Sequence, residues 1–411
     1  MRPVLLFAVL LAAAACNPAA ASVVPPVSRA NPPASSVSRG APVITRELVP
    51  RSITVPPPLR TGPFTQDRQL QVREGFAVAV VARLPGARSM TMAPWGELLV
   101  TQPREGKITA LRLTTDEGPA STRLLAEGLQ CPYGMTFHDG RLYVAQSTRV
   151  QRFSYDETGR LGPAETVVGG LPESGCSPHH YRPLAIDASN HLFVAFGSSC
   201  NVCIEADARR GTVWRYAPNG SGAEFARGLR NVVDLEIHAE TGILWGVTNE
   251  RDQLGDDVPP DPVGPILAGA DYGWPHCYRD GSQWIADRRV PARSTACQGL
   301  TEPNGVQAHS APLGLAIYTA TQFPPEYQGS VFVGLHGSWN RSEGTGFKVV
   351  RLPVVDGQPL PAEDFVTGWL TGPRGPNDAW GRPVDVLVAP DGSLLISDDA
   401  AGAVYRITFS G

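Results

Sequence analysis

Gly140-Arg-Leu-Tyr-Val-Ala145 and Asn190-His-Leu-Phe-Val-Ala195 follow one pattern: a turn residue, a short strand rich in Leu, Val, Ile or Phe, then a break. The pattern recurs at Gly96-Glu-Leu-Leu-Val-Thr101, Gly242-Ile-Leu-Trp-Gly-Val247, Gly329-Ser-Val-Phe-Val-Gly334 and Gly392-Ser-Leu-Leu-Ile-Ser397. The six starts are 44, 50, 52, 87 and 63 residues apart. Most copies are followed by a second strand with an Arg-Tyr or Arg-Leu-like step, as in Val213-Trp-Arg-Tyr216 and Val349-Val-Arg-Leu352. Repeats of this length, each built from several short strands, are the signature of propeller blades. No long stretch has the 3.6-residue apolar period of a helix. The expected fold is therefore all-β, a six-bladed β-propeller closed into one domain over residues 61–411. The wide fourth interval predicts an insertion at about 251–310, on the face where such chains bind ligands.

Composition agrees. Of 411 residues, 42% are apolar and 18% charged, enough for a large core. Glycine (43) and proline (39) together make about one residue in five, too many turn-formers for a helical protein. The net charge of −4 argues against a general nucleic-acid binder. Only Lys107 and Lys348 are lysines, so cationic contacts to a ligand fall mostly to arginine and histidine.

The N-terminus reads as an address. Arg2 precedes an apolar run, Val4 to Ala15, too short to span a bilayer. Small residues lead directly into Cys16, as in a lipoprotein cleavage box, with an ordinary export signal as the alternative. Residues 1–16 are thus expected to be a signal ending at a lipidated Cys16. Residues 17–60, rich in Pro, Ser and Ala, are expected to form a disordered tether. That places the domain outside the cytoplasm, in the periplasm, held to the membrane by lipid alone. Six cysteines remain, and an even number in an exported chain suggests three disulfides. Sequence proximity favours Cys200–Cys203, Cys277–Cys297 and Cys131–Cys176. Cys200-Asn-Val-Cys203 is alternatively a metal or redox pair. Without a following histidine it is not a covalent haem site.

Four segments break the strand pattern with chemically active residues. Ser177-Pro-His-His-Tyr-Arg182 offers imidazoles as bases beside a guanidinium, or two surface histidines. Thr248-Asn-Glu-Arg-Asp-Gln-Leu-Gly-Asp-Asp257 is an oxygen-rich cluster suited to Ca²⁺, or a solvated acidic turn. Leu335-His-Gly-Ser-Trp-Asn-Arg341 offers faces that stack on a planar ring, or a bulged turn with a core Trp. Trp380-Gly-Arg-Pro-Val-Asp-Val386 holds a fork for a carboxylate at Arg382, or a blade-to-blade ion pair.

In this order, with Tyr272-Gly-Trp-Pro275 and His309-Ser-Ala-Pro-Leu-Gly-Leu315, these segments resemble the PQQ-dependent glucose/sorbosone dehydrogenase family, soluble quinoprotein propellers. The sorbosone-dehydrogenase-like branch fits best, over about residues 70–409. The resemblance implies two cofactors, pyrroloquinoline quinone (PQQ), a flat ortho-quinone with three carboxylates, and Ca²⁺, a Lewis acid at the reactive carbonyl. It implies oxidation of a sugar or sugar aldehyde at C1, with a histidine base taking the hydroxyl proton as hydride leaves. The base falls on His179, with His180 as fallback, and Arg182 beside it touches cofactor or substrate. Glu250, Arg251 and Asp252 fall on the calcium side. His336, Asn340 and Arg341 fall where a cation faces the quinone carboxylates. Arg382 matches one of two paired arginines, and Gln130, Tyr133 and Asn231 are further cofactor contacts. Val384 stands in place of the second arginine, and the lysine of the glucose-oxidising branch is absent, which puts glucose in doubt as substrate. With no haem site, electrons must leave to an external cytochrome or quinone. The rival readings are a calcium-dependent lactonase propeller and a non-enzymatic binding propeller on a lipid anchor.

Overall fold

Each apolar repeat forms the second strand of an antiparallel blade, and the blades stand around one axis. The computed structural model describes residues 46–114, 118–173, 175–176, 179, 181–291 and 297–411. The expected signal, Cys16, most of the expected tether and His180 lie outside the described residues. The innermost strands are Met90–Met92, Met135–His138, Leu184–Ile186, Val232–Ile237, Pro312–Ile317 and Pro383–Val388, each packed against the next, with the last against the first. The second strands, such as Glu97–Gln102 and Leu192–Phe196, are buried along their whole length. A neighbouring blade covers each of their faces, so they read as continuous apolar runs instead of alternating ones. Six apolar cores fill the gaps between neighbouring blades. Between the fifth and sixth, Phe76 meets Phe323, Phe365 and Tyr327 edge to face, at centroid distances of 4.8, 5.0 and 5.2 Å.

The ring is closed by a strand outside the repeats. Phe76–Arg83 is the outer strand of the sixth blade and pairs antiparallel with Ala403–Phe409, from Phe76 opposite Phe409 to Arg83 opposite Ala403. Gln69–Arg73 and then Leu48–Ser52 extend the fifth blade to six strands. The boundary expected at residue 60 is therefore too late. Leu48–Ser52 is an edge strand held by ladder hydrogen bonds more than by apolar burial, so its composition alone resembled a tether; Pro50 is tolerated at such an edge. Within the expected insertion, Asp261–Pro265 and Gly305–Val306 are the third and fourth strands of the fourth blade. The added part lies between them and carries the hairpin Cys277–Asp280/Gln283–Ala286. Disulfides join Cys131 to Cys176, Cys200 to Cys203 and Cys277 to Cys297.

The innermost strands line a central channel of about 540 Å³ into which Asp234, Glu236 and Asp385 project. Each carboxylate accepts a backbone N–H from the innermost strand of the next blade. Asp234 binds Leu315 (2.9 Å), Glu236 binds Ile317 (3.2 Å) and Asp385 binds Met90 (2.6 Å). Burial pushes all three upward, Asp234 to about 7 and Glu236 to about 8. A raised carboxyl keeps its proton in the fold after the unfolded chain has lost it, so its stabilising contribution falls as pH rises from about 4 through 8. Glu236→Gln keeps the acceptor without the charge. We expect it to be more stable than wild type at pH 9 by about 1–2 kcal/mol, allowing for solvent in the channel, with the gap closing towards pH 4.5. Thermal melts across pH check this; parallel curves for the two proteins would reject it.

Candidate functional site

In an antiparallel blade the start of the innermost strand and the end of the second strand lie on one side of the ring, and the site is built there. Arg88 precedes the innermost strand of the first blade, His179 that of the third and Arg382 that of the sixth. Asn249 and Glu250 follow the second strand of the fourth blade, and His336 that of the fifth. These side chains line one cavity of about 280 Å³ with Arg230, Asp252, Asp261, His309, Trp339 and Asn340. Leu313 lines it from below and belongs to an apolar layer with Cys131, Tyr133, Tyr181, Val233 and Val384. Tyr133 and Tyr181 stack at 4.4 Å, and the Arg88 guanidinium lies 4.6 Å over the Tyr181 ring. At the mouth, Trp339 is 66% exposed and borders a second hollow of about 370 Å³ shared with His179, Cys200 and Asn201.

Three charge clusters meet in the cavity. Asp399 accepts from Arg88 (2.5 Å) and from His336 Nε2 (2.9 Å). Burial opposes its ionisation, yet the His336 N–H and the Arg88 and Arg382 guanidiniums hold it well below the usual carboxylate range. Burial drives His336 down to about 4 against the pull of Asp399, so the ring is neutral at pH 7 and donates from Nε2. The second cluster is acidic. Burial raises Glu250 to about 7 and Asp261 to about 6. Asp261 receives the Glu250 and Ala311 amides, and Asp252 receives Arg230 (2.8 Å) and Asn340 (2.9 Å). The third is a relay. Ser198 donates its only hydroxyl proton to the Cys200 carbonyl (2.7 Å), so its contact with His179 Nδ1 (3.1 Å) must be accepted from the ring. That places the His179 proton on Nδ1 and makes Nε2 the acceptor.

Of the residues expected from sequence, His179, Glu250, Asp252, His336, Asn340 and Arg382 line the cavity. The other six do not. Arg182 is buried over Phe196 and donates to the Pro172 carbonyl (2.7 Å); burial, with Arg210 and Arg209 nearby, lowers it to about 9. Arg251 turns into the added hairpin and pairs with the buried Asp287. Arg341 ties the Asp256–Asp257 turn to the Ala308 carbonyl. Gln130 is bonded to Gln146 and Thr148 in the second blade. Tyr133 lies in the apolar layer below, and Asn231 is buried beside Gly197. His336, expected near a cation site, is itself neutral; the cavity's cations are Arg88, Arg230 and Arg382. Arg88, Arg230, Asn249 and Asp261 were assigned no role from the sequence, although Asn249 lies in a motif quoted above; Trp339, read there as a stacking face or a core Trp, is exposed at the mouth. Arg230 sits one residue from the expected Asn231, and His309 opens a motif quoted above. Among the described residues the tight metal-type grouping is Cys200, Cys203 and Glu205, whose two sulfurs are already bonded to each other.

Comparison with known proteins places the chain in a family. An uncharacterised protein of Borreliella burgdorferi is 27% identical over 301 residues, 69% of this chain and 77% of its own length. A pyrroloquinoline quinone-dependent pyranose dehydrogenase of Coprinopsis cinerea is 26% identical over 410 residues, covering 82% of this chain; the chain spans 54% of that relative's length. The fold superposes on the calcium structure of the Trichoderma reesei Carbohydrate-Active Enzymes Family AA12 protein with a TM-score of 0.72, at 20% identity, over 83% of this chain and 97% of that one. It superposes on the holo PQQ domain of the Coprinopsis cinerea pyranose dehydrogenase with a TM-score of 0.69, at 21% identity, over 83% and 97% of the two chains. The family model described as TrAA12-like matches residues 70–259 and 267–410, nearly the whole ring, and the chain belongs to that family.

Proposed function

We propose that the protein is a PQQ-dependent dehydrogenase that oxidises a sugar or sugar aldehyde at C1, with Ca²⁺ as second cofactor and His179 as base. The observation that carries the reading is the meeting, in one cavity, of three guanidiniums, a tautomer-fixed imidazole and an acidic wall of Glu250, Asp252 and Asp261. The residues fit a flat tricarboxylate. Arg88 Nε and Asn340 Oδ1 are buried without a partner among the described residues and belong to cavity-lining side chains. The raised Glu250 and Asp261 carboxyls lie where a divalent cation would offset the cost of their charge. When bound, the quinone supplies the two-electron sink and the cation polarises it. Arg88, Arg230 and Arg382 bind and orient carboxylates. The apolar layer under Leu313 closes the floor against the channel, and Trp339 flanks the entrance. His179 Nε2 accepts the hydroxyl proton. Electrons then pass to an external acceptor.

Reconstitution with PQQ and Ca²⁺, followed by a dye-linked screen of sugars and aldehydes, tests the reading; a protein that retains no quinone would sink it. Arg382 is fixed by donation to the His336 (3.0 Å) and Gly337 (2.9 Å) carbonyls, which aims its remaining donors. Arg382→Ala is expected to weaken quinone binding about 10–100-fold, with saturated turnover little changed. Titration by quinone absorbance checks it, and equal affinity in both proteins would reject the clamp.

A further inference from the structure

We infer that Asn201, held at the tip of the Cys200–Cys203 disulfide loop, is the positioning residue that fixes Arg230 and Asp252 in the site. The inference rests on the reading of the cavity as a cofactor site. It stands on four hydrogen bonds. Asn201 Nδ2 donates to the Asp252 carbonyl (3.0 Å), and the Asp252 N–H donates back to Asn201 Oδ1 (2.9 Å). This paired contact clamps the Asp252 backbone as a strand partner would. The Asn201 carbonyl accepts from Arg230 Nε (3.1 Å) and from Trp274 Nε1 (3.1 Å). Arg230 and Trp274 are both almost fully buried, so the hub sits on a rigid base. Arg230 then reaches Asp252 Oδ2 (2.8 Å) and the Glu250 carbonyl (2.6 Å), and so orders the acidic wall.

The disulfide brackets this hub at both ends. The Cys200 carbonyl, one residue before Asn201, anchors Ser198 and through it His179. One four-residue loop therefore supports the imidazole on one side and the Arg230–Asp252 pair on the other. Cys200 and Cys203 are both half-buried, and Cys200 borders the hollow at the mouth, whereas each of the other two bridges joins a buried cysteine, Cys131 or Cys277, to a half-buried one, Cys176 or Cys297. A small dithiol can attack this bridge at either cysteine and reduce it through a mixed disulfide. Two electrons and two protons pass from the reagent to give two Cys thiols, and the reagent becomes its cyclic disulfide. The short loop contributes little to global stability, so reduction loosens the site and leaves the ring standing. The same bridge makes the site sensitive to thiol redox state.

The test uses the full chain in three forms: Asn201→Ala, the Cys200→Ser/Cys203→Ser double variant, and wild type after mild dithiol treatment. Amide hydrogen exchange at Asp252, measured without cofactor, reports the clamp directly. PQQ titration with Ca²⁺ reports its consequence. Expected are exchange at Asp252 at least about tenfold faster, quinone affinity about tenfold weaker, and unchanged melting and exchange in the other blades. Unchanged exchange at Asp252 in Asn201→Ala and the double variant overturns the inference, as does faster exchange with wild-type quinone affinity. If wild type itself binds no quinone while exchange at Asp252 still rises, the clamp stands and the proposed function falls. Should Asn201→Ala fail to fold, the double variant and the treated wild type carry the same two readouts.

Discussion

Replacing His179 with alanine is expected to lower turnover by about 10²–10⁴-fold while PQQ remains bound. The size follows from the role: a positioned base removes a proton in the step that expels hydride, and solvent replaces it poorly. The arrangement sharpens the expectation. Ser198 spends its proton on the Cys200 carbonyl, so the imidazole must donate from Nδ1 and present Nε2 as acceptor. Quinone retention should be preserved, because the three guanidiniums proposed to hold its carboxylates, Arg88, Arg230 and Arg382, come from other blades than His179. Steady-state kinetics on the reconstituted variant, with quinone content measured in the same sample, decide the matter. Wild-type turnover at full quinone loading would remove His179 from the mechanism.

Asp399→Ala is expected to cost about 3 kcal/mol of stability, a melting shift of several degrees. Asp399 is the shared partner of Arg88 and His336, and all three side chains are largely out of solvent. Without it the Arg88 charge stays buried with no counter-ion, and uncompensated burial of this kind is among the costliest single changes. The sign of the pH dependence follows from the depressed carboxyl. Its contribution is fully present above the unfolded value near 4 and is lost as pH falls through the lower folded value. The wild-type advantage over Asp399→Ala should therefore be constant from pH 5 to 7 and shrink only in strong acid. Equal melting temperatures for the two proteins at pH 7 would show that Arg88 has another counter-charge.

Much of the ring was legible in the sequence because the second strand of each blade is covered on both faces. A run such as Leu192-Phe-Val-Ala-Phe196 can hardly be anything else. The closing strand was not legible. Phe76–Arg83 is preceded by no copy of the repeat, and its partner lies more than 300 residues away. The site divided along a finer line. The site segments are turns and loops between strands, where adjacent side chains diverge without a fixed alternation. Hence Asp252 faces the cavity while Arg251 faces the hairpin, and Arg230 enters while Asn231 is buried behind it. A motif marks the segment, but which of two adjacent residues enters depends on a turn geometry that spacing does not reveal. Arg88 and Asp261 had no local signal; they join the cavity because the ring brings distant blades to one axis.

The pairing of residues 76–83 with 403–409 bears on how the molecule is made. The last blade cannot be completed until residues 403–409 have left the ribosome, so a chain emerging up to that point holds five blades beside an open seam. For the same reason a nick or a short deletion within either strand of this pair should unzip the circle from its seam, far from the chemistry it was built to hold.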